Sequence, residues 1–104
     1  MNLLLINKKV EIIKLCKAFD LKSLFVFGSA VRDDFKNDSD IDFLYEPKEK
    51  SENPIEAFDR YLLLQTELEN LLGHKVDLIE YNQLSNPYLK HFINQEKVEV
   101  YAEA

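Results

Sequence analysis

Cysteine is nearly absent from this 104-residue sequence. A single thiol, Cys16, can neither close an intramolecular disulfide nor build a thiolate metal cage. It falls in an apolar helical register, where burial is the ordinary role of a lone cysteine. Long apolar runs are missing as well. The start, MNLLLINKKVEIIK, holds only a short apolar run before its lysines, too short for a signal-peptide core or a membrane span. The expectation is a chain kept in a reducing cytoplasm. The sequence also lacks internal repeats, low-complexity tracts and interdomain linkers. Positive charge is in deficit: 13 Lys and Arg against 19 Asp and Glu leave a formal charge of -6. That balance repels phosphate backbones unless basic residues are concentrated locally or metal ions intervene. The lysines lie mainly on the first helical segment and on scattered loops, which argues against a template groove and a template-dependent polymerase. What is present is an ordinary globular balance, 46% apolar and 31% charged, in a length that suits one domain over residues 1–104.

Ile12, Leu15, Cys16 and Phe19 share one helical face and predict a first helix over 7–19. SLFVF at 23–27 reads as a buried strand that stops at Gly28-Ser29, and IDFLY at 41–45 as a second strand. Asn53-Pro54 supplies an N-cap with proline at the first helical position, and Gly73 a C-cap, so a long helix is expected over 54–72. Its apolar residues, Ile55, Phe58, Tyr61, Leu62, Leu64, Leu68, Leu71 and Leu72, form a stripe wider than one core contact requires, with Leu63 outside it. Burial within the domain is the favoured account of that stripe, and a partner surface the other. KVDLIEY at 75–81 alternates as a third strand, Ser85-Asn86-Pro87 caps a short helix with Leu89, Phe92 and Ile93, and VEVY at 98–101 reads as an edge strand. The fold class is therefore α+β, a mixed sheet of three to four strands packed with helices.

Asp40 and Asp42 are two residues apart, so on a strand they share a face, with Ile41 and Phe43 on the other. Two carboxylates in one small volume repel unless one holds a proton or a divalent cation, Mg²⁺ being the expected ion, lies between them. Asp77, flanked by Val76 and Leu78, joins them if strands two and three are neighbours. Three such carboxylates can hold two metal ions ~3.5–4 Å apart, the arrangement of phosphoryl transfer. Glu46, Asp59 and Glu80 are alternatives for the third position, but only Asp77 has the register. Gly28 permits close backbone approach, Ser29 adds a hydroxyl donor, a following helix N-terminus would present N–H groups, and Arg32 one turn on offers a guanidinium fork to phosphates. His74 and His91 have no metal-ligand spacing and read as cap or surface residues. Gly-Ser, ten intervening residues and Asp-x-Asp together arise by chance in on the order of one chain per thousand of this length.

Gly28-Ser29, Ala30 to Ser39 and Asp40-Ile41-Asp42 resemble the signature of the DNA polymerase β-like nucleotidyltransferase superfamily. The chain looks most like its minimal nucleotidyltransferases, the antitoxin half of pairs with HEPN-domain toxins, and the element order, VDLIE and NPYLKHFINQEKVEVY extend the likeness along the chain. The resemblance implies a nucleotidyltransferase-like fold, with Gly28 and Ser29 holding a nucleoside triphosphate, Asp40 and Asp42 ligating Mg²⁺, and Asp77 helping to hold metal and to activate the acceptor. Arg32 matches a frequent arginine after Gly-Ser, whereas Asp33 stands where a glycine is common. It further implies transfer of AMP from ATP to a tyrosine of a HEPN ribonuclease toxin. The chain has no room for the extra domain by which larger relatives grip base or acceptor, so a second chain, the toxin or another copy, would complete the cleft. Two other readings are a non-catalytic module that blocks its toxin by complex formation and transfer to a small molecule such as an antibiotic hydroxyl.

Overall fold

The computed structural model describes residues 2–32 and 34–104. Two short helices, α1 (Leu3–Asn7) and α2 (Lys9–Ala18), lead into β1 (Leu21–Phe27), a 3-10 turn at Gly28–Ala30 and β2 (Ile41–Pro47). The long helix α3 (Pro54–Leu72) returns the chain to β3 (Val76–Glu80). A second 3-10 turn (Tyr81–Gln83), α4 (Pro87–Glu96) and β4 (Val98–Ala102) follow. The strands form one mixed sheet in the order β3-β2-β1-β4, β2 antiparallel to β1 and parallel to β3. The α+β reading, with its final edge strand, holds.

Local chemistry explains the element ends. The Asn53 side chain accepts from the N–H groups of Ile55 and Glu56, and Gly73 takes the left-handed conformation at φ 68°. The expected bounds of α3 therefore hold at both ends. The first helix differs from its expectation. The Asn2 side chain accepts from the Leu5 N–H and starts a separate helix at Leu3, and the chain breaks at Lys8 before α2 carries the predicted apolar face. The segment after Gly28 also differs: Gly28–Ala30 form a single 3-10 turn, in which the Val31 N–H returns to the Gly28 carbonyl at 3.0 Å. Among the described residues no α-helix begins between that turn and β2.

One face of the sheet carries the core. Leu24, Val26, Ile41, Phe43 and Val76 pack with Ile12 and Cys16 of α2 and with Leu64, Leu68 and Leu72 of α3, all buried. Burial pushes the Cys16 thiol up to about 12, as its structural role requires. Only the second half of α3 is buried, however. Ile55, Phe58, Leu62 and Leu63 stand exposed, so the expectation that its wide stripe serves the domain's own core is corrected for the first half. The cause is angular: Ala57, Tyr61, Leu64, Leu68 and Leu72 follow one face of the helix toward the sheet, and Ile55, Phe58, Leu62 and Leu63 point away from it. No helix among the described residues is long and apolar enough to cross a membrane.

Candidate active site

The opposite face of the sheet holds the polar cluster. Within β2 the buried Ile41, Phe43 and Tyr45 alternate with Asp42, Leu44 and Glu46, and within β3 the buried Val76 and Leu78 alternate with Asp77 and Ile79. Because β2 and β3 are parallel neighbours, Asp42 stands directly opposite Asp77 in the ladder. The register is secured from α3, whose Gln65 Nε2 donates to the Val76 carbonyl at 2.8 Å and whose Glu69 Oε2 accepts from the Val76 N–H at 3.0 Å. A shift of one residue would send Asp77 to the apolar face.

Asp42 is half-buried and Asp77 exposed. Burial, a hydrogen bond to Asp77, and the negative charges of Asp77 and Asp40 push the Asp42 carboxyl up to about 6, while the Arg32 charge pulls it down. Like charges forced together disfavour the ionised form of Asp42 in this way. Asp40 lies near enough for its charge to act on Asp42. It precedes the first ladder residue of β2 and is exposed, on an approach pinned where His74 Nδ1 meets the Ser39 carbonyl at 2.9 Å. Among the described residues no group of three or more His, Cys, Asp or Glu is arranged to hold one metal ion. Asp42 and Asp77 face each other across the ladder, with Asp40 two residues before Asp42. Such a pair suits Mg²⁺, which commonly takes one or two carboxylates and completes its shell with substrate phosphates and water.

The Gly28 corner lies against the same pair. Phe27 is opposite Asp42 in the β1–β2 ladder, so the next residue passes beside the Asp42 side chain. Gly28 has φ +74°, and a Cβ there would collide with Asp42 Oδ2. Both facts require glycine. Ser29 follows in the turn, half-buried. Arg32 projects from the same corner, its Nη1 donating to Glu96 Oε2 at 3.0 Å and its Nε to Asp34 Oδ1 at 3.4 Å. Glu96 also accepts from the Gly28 N–H through Oε1 at 2.6 Å. Gly28, Ser29, Arg32, Asp42 and Asp77 are therefore brought together. Asp33 lies outside the described residues.

The alternatives for a third carboxylate are elsewhere: Glu46 approaches Lys22, Glu80 alternates to the far side of β3 and raises the Tyr45 pKa, and Asp59 is exposed on α3. His91 is exposed on α4. His74 meets the Ser39 carbonyl just before Asp40, its ring tilted against that of Phe35. Sequence reasoning missed Glu96, which no spacing rule ties to a corner 68 residues earlier.

Residues 10–104 match the family described as "Polymerase beta, Nucleotidyltransferase". A Methanocaldococcus jannaschii protein provisionally named a protein adenylyltransferase is 36% identical over 96 residues, covering 92% of this chain and 91% of the relative. The protein adenylyltransferase MntA of Thermococcus cleftensis is 33% identical over 82 residues, 79% of this chain and 78% of the relative. Among solved structures, one provisionally described as a minimal nucleotidyltransferase superposes with TM-score 0.73 at 28% identity, covering 90% of each chain. A complex of a tri-AMPylated Shewanella oneidensis HEPN toxin with its MNT antitoxin contains a chain of the same fold, with TM-score 0.66 at 19% identity over 93% of this chain and 71% of that one. Matched over nearly its whole length, with the paired aspartates set against a Gly-Ser corner, the chain belongs to the polymerase β nucleotidyltransferase family.

Proposed function

We propose that the chain, as one minimal nucleotidyltransferase domain over residues 1–104, transfers AMP from ATP to a tyrosine of a HEPN-type ribonuclease toxin and so acts as its antitoxin. The observation that carries this reading is the Asp42–Asp77 register beside the Gly28-Ser29 corner. The pair lies beside a glycine corner that a side chain would block. The relatives named as adenylyltransferases and the AMPylated toxin complex support the group transferred and the acceptor.

Ser29 and Arg32 hold and orient the triphosphate, the hydroxyl as a donor and the guanidinium as a fork. Asp42 and Asp77, with Asp40, would hold Mg²⁺, which when bound would offset charge on the phosphate oxygens. Exposed Asp77 is the carboxylate an incoming hydroxyl meets first, and it accepts the tyrosine proton as the phenolic oxygen bonds to the α-phosphorus. The bond from the α-phosphorus to the bridging oxygen breaks, and pyrophosphate leaves. The exposed Ile55, Phe58, Leu62 and Leu63 of α3 offer an apolar dock for the toxin.

Purified protein incubated with α-labelled ATP, Mg²⁺ and a lysate of its own host should label one protein band, and Asp42→Ala should remove that label. Label retained with Asp42→Ala would sink the catalytic assignment. The exposed half of α3 also favours a second reading, neutralisation by complex formation alone; it predicts that Asp42→Ala still protects cells as well as wild type.

A further inference from the structure

Resting on the reading of Arg32 as a phosphate-binding residue, we infer that Glu96 is a positioning residue for nucleotide binding: its carboxylate spans the Gly28 N–H and the Arg32 guanidinium and aims that guanidinium at the triphosphate.

Four observations carry this. First, the contact is bidentate, with a different oxygen on each partner, 2.6 Å to Gly28 N and 3.0 Å to Arg32 Nη1. One side chain therefore sets both the backbone corner and the cation that projects from it. Second, exposure is unequal. The Glu96 side chain is 15% exposed and that of Arg32 49%, so the carboxylate is the fixed member and the guanidinium the presented one.

Third, the donor arithmetic leaves Arg32 able to work. A guanidinium has five N–H donors. Among the described residues one goes to Glu96 and one to Asp34, so three remain on the outer side for an anion. An arginine already braced loses less rotamer freedom when it takes a phosphate. Fourth, Glu96 stands against local preference. It ends α4, whose last turn holds no basic residue, although the helix dipole there favours cations. Such a conflict between a residue and its local setting is expected where the site needs that residue. The Gly28 N–H is occupied by Glu96, so glycine at 28 serves the approach of Asp42 and leaves anion binding to Ser29 and Arg32.

The test is a double-mutant cycle on the full chain, titrating a non-hydrolysable ATP analogue with Mg²⁺ by calorimetry. Glu96→Gln is informative because its amide oxygen still accepts from Gly28 N–H while its amide nitrogen cannot accept from Arg32. Glu96→Gln should raise Kd for the analogue about tenfold, the size of one charged hydrogen bond. Added to Arg32→Ala, the same change should have no further effect. A lower Kd in Glu96→Gln would instead make Glu96 a competitor of phosphate and overturn the inference. So would an equal weakening in the Arg32→Ala background, or a lowered Tm with unchanged Kd. If Arg32→Ala itself leaves Kd unchanged, the cradle reading falls and Glu96 falls with it. A sensitive Arg32→Ala beside a silent Glu96→Gln removes the positioning role alone.

Discussion

The two faces of β2 are built for opposite purposes from one stretch of chain. Ile41, Phe43 and Tyr45 are buried against α2 and α3, while Asp42 and Glu46, on alternate positions, face the polar side. The apolar face gains free energy by leaving water. The other face holds two carboxylates opposed across a ladder, with a third nearby, and that arrangement resists folding at neutral pH. Stability and chemistry are therefore separated by the pleat, with single residues as the unit of alternation. A chemically costly cluster can be kept because its neighbours in the same strand belong to the core.

The largest test of this division is Phe43→Ala, which opens a cavity at a fully buried position. It should cost about 3–5 kcal/mol, read as a lower denaturant midpoint. A loss under 1 kcal/mol would break the comparison.

Gly28→Ala comes next, because it strikes the seam between the faces. The left-handed backbone at 28 should cost about 1–2 kcal/mol with a Cβ present. That Cβ must also displace the Asp42 carboxylate, so transfer activity should fall far more than stability does. Equal proportional losses would mean that the corner is only structural.

The smallest effect sharpens the comparison through pH. Asp42 has a folded pKa of about 6, raised from 3.8, so between those values the native state binds more protons than the unfolded chain. Stability without metal should then be greatest near pH 4 as far as this group is concerned, and decline as pH rises through about 6. Asp42→Asn should remove that slope and stabilise the protein at pH 7 by about 1 kcal/mol, the shift being discounted for the solvent that reaches a half-buried group. A flat stability profile over this range in wild type would contradict the raised pKa of Asp42.

Legibility in the sequence followed the range of the physics involved. Asn53-Pro54 and Gly73 bound α3 by contacts within a few residues, and both ends were readable. Period-two alternation in 41–45 and 75–81 told which side chains share a face. The same reasoning overreached on α3, where apolar residues at 55, 58, 62 and 63 were readable as apolar but not as exposed, since exposure depends on which face of the helix the sheet covers. It also expected a helix after Gly28, where the chain closes a single 3-10 turn on one carbonyl.

The sequence by itself determined the strands, the long helix, the family signature and the acidic pair's face, because caps, periodicity and Gly-Ser to Asp-x-Asp spacing are local properties of the chain. Only the tertiary structure decided that β3 lies beside β2 with Asp77 opposite Asp42, and that Glu96 meets Gly28 and Arg32. Those facts depend on which distant segments become neighbours, and that choice is made by the packing of the whole core.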